Sequence, residues 1–244
     1  MVSRWRKMTG SKLAPEGYEV IPNVFDEHAI AGLRGHCSEF KFSAGTRNLL
    51  DHAWARELAH ETKVKTYADL LLGKRATPVR AILFDKRPGT NWNLGWHQDT
   101  KIAVRLLHGG HRSGKDFPSI KGYSAWSVKE GTLHVKPPVE VLESMLAVRI
   151  HLDDCPESNG PLSVVPNSHN RGLINADEAR NLVASNGVRA CLCKAGDIVL
   201  MRPLILHSSP KATLPTHRRV IHIEYCSSTL PSPIAWGFEP VPIG

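Results

Sequence analysis

The segment "MLAVRIHLDD", residues 145–154, sets Leu146, Val148, Ile150 and Leu152 on one side and Ala147, Arg149, His151 and Asp153 on the other. An alternation of period two sustained over ten residues is the pattern of a β-strand and not of a helix. It belongs to a series: "VRAILFDKRPG" from Val79, "GWHQDTKIAV" from Gly95, "NGPLSVVPNSH" from Asn159, "GDIVLMRPLILHSS" from Gly196 and "RRVIHIEYC" from Arg218. Two helical stretches precede them. "DEHAIAGLRGHCSEF" starts at Asp26, an N-cap candidate, and "RNLLDHAWARELAHETKVKTYADLLLG" ends on Gly73, a C-cap candidate. Short strands separated by turns, after helices, predict a mainly β antiparallel sandwich or barrel with a helical layer.

We read 1–244 as one domain, with a helical lead-in over about 1–78, a β core over about 79–228 and a C-terminal tail over 229–244. The Gly-rich, charged stretch 107–138 reads as a mobile loop or lid, and its His108, His111 and His134 have no partner by spacing.

Hydrophobic content of 41% and charged content of 22% are those of an ordinary globular chain. No apolar run approaches the ~20 residues of a membrane helix, and the basic N-terminus lacks the apolar region of a secretory signal. Five cysteines, Cys37, Cys155, Cys191, Cys193 and Cys226, have no framework spacing, which fits reduced thiols in the cytoplasm. The net charge of +8 is scattered, without a nucleic-acid-binding motif, and favours an anionic small molecule as partner. "GGHRSGKD", Gly109–Asp116, mimics a phosphate loop. Asp116 stands where a Ser or Thr is needed, and no helix pattern follows.

His97 and Asp99 sit two apart, so on a strand they share a face and could offer an imidazole and a carboxylate to one ion. Alone, the pair is equally a polar strand end. His207, at the end of the run "IVLMRPLIL", supplies a possible third ligand, and Arg218 follows eleven residues later. Arg218 and Arg219 face opposite sides of their strand, so only one of them can enter the interior with His207. Two histidines and a carboxylate make the facial set of non-haem Fe(II) oxygenases. A buried arginine could clamp a dicarboxylate, with Ser209 donating to it.

"WHQD" followed by "LHSSPKATLPTHRR", with "HLDDCPESNGPLSVVPNSHNRG" between them, resembles the phytanoyl-CoA dioxygenase family of Fe(II)- and 2-oxoglutarate-dependent oxygenases over roughly residues 80–228. The resemblance implies a double-stranded β-helix (jelly-roll, cupin-like) core with flanking helices. It implies that His97, Asp99 and His207 bind iron and that Arg218 binds the far carboxylate of 2-oxoglutarate. It further implies O₂ as second co-substrate, with succinate and CO₂ released as a C–H bond of a small or medium organic molecule is hydroxylated. The carboxylate at position 99 fills the space a halide would need, which favours hydroxylation. The alternatives are a catalytically silent jelly roll that binds metal or ligand, and a cupin-type metalloenzyme that does not use 2-oxoglutarate.

Lys86 and Asn93 are candidates to reach the co-substrate. Arg149, Trp92, Trp96 and His169 are candidates for the organic substrate, each with a structural role as its alternative. Asn159 and Gly160 read as turn residues, and His222 shares a face with Arg218. A monomer or a homodimer is expected.

Overall fold

The computed structural model describes residues 11–40, 45–73, 75–107 and 117–238. The chain divides into two compact units interleaved in sequence: 1–46, 83–99 and 147–222 make the first, and 47–82, 100–146 and 223–244 make the second.

In the first unit, helix α1 (Leu13–Glu16) closes on Gly17, whose φ of 83° is the left-handed conformation that glycine adopts without a Cβ penalty. Helix α2 (Glu27–Ser38) starts as predicted at Asp26, whose carboxylate accepts from the Ala29 N–H. Strands β1 (Tyr18–Ile21), β2 (Gly45–Thr46), β3 (Thr77–Lys86), β8 (Met145–His151), β11 (Ile198–Met201) and β13 (Arg218–Cys226) form a sheet in the order β1-β11-β8-β13-β3-β2. Three of these strands, β3, β8 and β13, carry residues of both units.

A second sheet holds β4 (Leu94–His97), β9 (Leu162–Val164), β10 (Arg189–Cys191) and β12 (His207–Ser209) in the order β10-β9-β12-β4, all antiparallel. Ala147, Val199 and Met201 of the first sheet pack in one buried cluster with Leu162, Val164 and Cys191 of the second. Two antiparallel sheets packed face to face make the sandwich that the alternation predicted and the jelly-roll arrangement that the resemblance implied. Helix α6 (Ala176–Ser185), capped by Asn175, lays Ala179 and Leu182 on Val165 and Leu206.

In the second unit, β5 (Ile102–Leu106), β6 (Ser124–Lys129), β7 (Thr132–Lys136) and β14 (Ile234–Trp236) form a sheet in the order β14-β5-β7-β6, with α5 (Val139–Glu143) following β7. Helices α3 (Ala53–His60) and α4 (Thr62–Leu72) belong to this unit, and the Tyr225 hydroxyl of β13 donates to the Ala59 carbonyl at 2.7 Å.

Several boundaries differ from expectation. The stretch 47–73 is two helices because Glu61 is extended (ψ 134°); the break lets Ala55, Leu58 and Ala59 be buried on one helix and Val64 and Ala68 on the next. The expected lid contains the β6–β7 hairpin, turned at Glu130 and Gly131 with φ of 49° and 76°, the two positive angles of a tight twisted turn. His134 lies in β7, where its Nδ1 pairs with the Thr132 carbonyl. His108, His111 and the phosphate-loop mimic at Gly109–Asp116 lie outside the described residues. The lead-in includes β1 and β2, and the tail includes β14. "GWHQDTKIAV" is two strands in two sheets. His207 opens a new strand after a turn at 202–206 instead of ending the apolar one. All five cysteines are buried free thiols. Among the described residues no helix is long and apolar enough to cross a membrane.

Candidate metal centre

The site lies within the first unit. His97 is the last residue of β4 and pairs directly with His207, the first of β12, so the two imidazoles lie side by side with centroids 4.2 Å apart. Asp99 is beyond the end of β4. It comes beside His97 because the chain turns there, with its N–H donating to the Pro203 carbonyl at 2.9 Å, and not through strand alternation.

The Nδ1 of His97 meets the Gly95 carbonyl at 2.8 Å and the Nδ1 of His207 meets the Ile205 carbonyl at 2.8 Å. A carbonyl only accepts, so both Nδ1 atoms carry a proton, and in the neutral imidazole the Nε2 lone pair is the one turned toward Asp99. These Nε2 atoms stand 3.8 Å and 3.6 Å from the two oxygens of Asp99, and the three ligand atoms lie within 4.8 Å of one another. Two imidazole nitrogens and a carboxylate at this spacing fit a divalent transition metal, and the backbone carbonyls behind the imidazoles are the outer shell such a site requires.

Burial alone would raise the Asp99 carboxyl, but His207, His222, His97 and Arg149 outweigh it and hold it below its ordinary value. Burial pushes the His207 imidazole down, so both groups favour the deprotonated state that a metal needs. Gln98 points away from the pair and pins the turn. Its amide donates to the Leu204 and Gly172 carbonyls at 2.7 and 2.8 Å and accepts from the Ile174 N–H.

Along β12 from His207, a cationic cluster surrounds Ser209. Arg218, 3% exposed, donates to the Ser209 hydroxyl at 3.0 Å and to the Gly160 carbonyl. Lys86 is fully buried and donates to Ser209 at 3.1 Å and to the Pro210 carbonyl at 2.5 Å. Burial, reinforced by Arg218, lowers the Lys86 ammonium to about 7. The Trp92 ring faces this ammonium at 5.2 Å. Two buried cations that share a neutral hydroxyl, with no carboxylate among the described residues bonded to either, are an arrangement that suits an anion. Arg219 turns the other way, as the alternation requires, and makes a bidentate pair with Asp153.

The interior face of β8 carries Arg149 and His151. Arg149 bonds the Nδ1 of His222 at 2.9 Å and lies 5.6 Å from the Phe84 ring. Burial, then Arg218, lowers its guanidinium to about 10, against the pull of Asp99. His151 is pushed down to about 3 by burial, Arg149 and Arg218, so it is neutral.

The other candidates are placed differently. Trp96 packs against the Val165–Leu206 cluster, and Asn93 is exposed just before β4. His169 sits on the N-terminal segment, its Nε2 on the Ala14 carbonyl. Sequence reasoning missed Gln98, Phe84 and the positioning role of "NG". Gly160 (φ 60°) approaches Pro210 so closely that a Cβ would stand 2.4 Å from its carbonyl oxygen. Buried Asn159 ties this turn to the Asp154 carbonyl and the Thr216 hydroxyl. The "NGP" punctuation marked the turn, but nothing in it reported what the turn would hold.

Comparison with curated protein sequences finds no match. Among solved structures the chain resembles AviO1 from Streptomyces viridochromogenes Tue57, at 20% identity and a TM-score of 0.63 over 91% of this chain and 95% of that one. It also resembles HygX from Streptomyces hygroscopicus, solved with nickel, 2-oxoglutarate and hygromycin B, at 16% identity and a TM-score of 0.61 over 88% and 85% of the two chains. A third is SnoK, a non-haem α-ketoglutarate-dependent carbocyclase from nogalamycin biosynthesis, at 18% identity and a TM-score of 0.64 over 89% and 82%. The model of the family described as phytanoyl-CoA dioxygenase (PhyH) matches residues 14–220. With that match covering most of its length, the chain belongs to the phytanoyl-CoA dioxygenase family of Fe(II)- and 2-oxoglutarate-dependent oxygenases.

Proposed function

We propose that His97 Nε2, His207 Nε2 and the Asp99 carboxylate hold Fe(II), that Arg218, Ser209 and Lys86 hold the far carboxylate of 2-oxoglutarate, and that the enzyme hydroxylates a C–H bond of a small or medium organic molecule. The observation that carries this reading is the pair of Nε2 atoms turned onto Asp99 by carbonyls behind each ring. When bound, the iron and co-substrate supply oxidative decarboxylation to succinate and CO₂ coupled to oxidation of the substrate by O₂. The chain's own residues do the rest. Gly95 and Ile205 fix the tautomers, Gln98 fixes the Asp99 turn, and Arg218 with Lys86 orients the dianion so that its keto-acid end meets the metal. The burial of Lys86 and Arg218 excludes water from the clamp.

Asp99 would be a metal ligand and would leave no room for a halide in its place, which supports hydroxylation over halogenation. That SnoK is a carbocyclase makes the outcome on the substrate a point for experiment. Trp92, beside Lys86, is a candidate wall of the co-substrate end. Five buried thiols support action in a reducing compartment, the cytoplasm, on a small-molecule partner and not on nucleic acid. The test is succinate release from 2-oxoglutarate with Fe(II), ascorbate and O₂, screened over a metabolite library with product analysis. A silent jelly roll gives no succinate with any substrate, and a cupin-type metalloenzyme turns substrate over without 2-oxoglutarate.

A further inference from the structure

The anion clamp at Ser209 uses Arg218 and Lys86, and Asp99 is committed to the metal. Among the described residues, the buried cation Arg149 then has no carboxylate bonded to it. It is 8% exposed. Its place in the fold is set by register. The Leu152 N–H bonds the Arg219 carbonyl at 2.9 Å, and counting back along the antiparallel strands puts Arg149 beside His222. His222 is four residues, about 13 Å, along β13 from Arg218. Arg149 thus leaves the sheet at a different position from Arg218 and faces both the clamp and the metal end, Arg218 being the charge it feels most and Asp99 the next. Its charge acts on both Asp99 and His207, which puts it within reach of the metal end.

The guanidinium is held in place before any ligand arrives. The Nδ1 of His222 takes one Nη, and the Phe84 ring lies against the plane. Around it, four buried polar atoms have no hydrogen-bond partner: Nε of Arg149, Nε of Arg218, and both ring nitrogens of His151, a residue 1% exposed. Native proteins leave only a few such atoms per hundred residues, so four gathered on three side chains call for a polar partner. Four of them between a metal triad and a cationic clamp form a lining built for a polar guest.

We propose that Arg149, positioned by His222 and Phe84, binds the carboxylate at the keto-acid end of 2-oxoglutarate, so that the dianion is gripped at both ends by protein cations as well as by the metal. This rests on the oxygenase reading above. Arg149 is then a co-substrate-binding residue, and His222 a positioning residue acting through it.

The test compares 2-oxoglutarate with levulinate, which has the same keto group and far carboxylate but a methyl in place of the keto-acid carboxylate. Binding of each to the full-length, Fe(II)-loaded protein is measured anaerobically by calorimetry for wild type, R149M and R218M. We expect R149M to weaken 2-oxoglutarate by about ten- to a hundredfold, the range of a charged hydrogen bond, while levulinate stays within about twofold; R218M weakens both acids. If R149M changes neither acid, or changes both equally, the proposal is overturned. The first result would assign the Arg149 anion to the organic substrate, and the second would make Arg149 purely structural.

Should R149M not fold, metal-free wild-type protein decides. It should bind 2-oxoglutarate at least about tenfold more tightly than levulinate, because without iron only Arg149 can tell them apart, and equal affinities contradict the proposal. If Fe(II)-loaded wild type binds no 2-oxoglutarate at all, the oxygenase reading itself has failed, a result visible without any variant.

Discussion

Lys86 shows at the scale of one residue how the site is held ready. Burial next to Arg218 lowers its ammonium from 10.5 to about 7. Between those values the unfolded chain binds a proton that the folded chain has lost, so stability of the ligand-free protein rises with pH across that window. A melting series from pH 6.5 to about 9.5 should show this rise in wild type and lose it in K86M; equal slopes would refute the assignment. The co-substrate dianion favours the charged ammonium. Affinity for 2-oxoglutarate should therefore fall as pH rises above about 7 in wild type, and be lower and flatter in K86M when measured by calorimetry. Gln98 offers a second residue-scale test: Q98A frees the Asp99 turn, and metal affinity should drop about ten- to a hundredfold by competition with a chelator. His97, Asp99, His207 and Arg218 could be singled out as candidates because residue type, order and spacing are one-dimensional signals. Gln98 was not, because its partners lie 74 and 106 residues away and are backbone carbonyls, which any sequence supplies.

At the scale of elements, the turn at Asn159–Gly160 links β8's end to the clamp. G160A forces a Cβ to within 2.4 Å of the Pro210 oxygen at φ 60°, so both turn and clamp must shift. The cost should exceed about 1 kcal/mol in denaturant unfolding, with weaker 2-oxoglutarate binding alongside. D26A, at the start of α2, should cost about 1 kcal/mol through the lost cap and leave ligand binding unchanged, which makes it the control. The strands were readable wherever one face had to be apolar, as in β8 and β13. Chain reversals were not. The break at Glu61 and the β6–β7 hairpin inside the expected lid depend on which faces the surrounding residues cover, and periodicity within a segment does not encode that. The shared strand reading of "GWHQDTKIAV" put His97 and Asp99 together through the wrong geometry, since β4 stops at His97 and a turn delivers Asp99.

For the whole molecule, metal and co-substrate bind the folded state alone, so together they must stabilise it. At about a hundredfold excess over Kd, 2-oxoglutarate should add about 2.7 kcal/mol, seen as a melting temperature higher by several degrees in metal-loaded wild type and not in H207A. The excess of positive charge, +8 over 244 residues, suits a protein whose ligands are anions. The most direct measurement of the central claim is an anaerobic titration of Fe(II) and then 2-oxoglutarate into wild type, H97A, D99A and H207A, following bound iron and the visible absorbance of a keto acid on iron. The account predicts a single iron per wild-type chain and an absorbance that saturates at a single equivalent of 2-oxoglutarate, with both lost in the three variants. Iron retained in the variants, or wild-type iron that gives no absorbance change on adding 2-oxoglutarate, would contradict it.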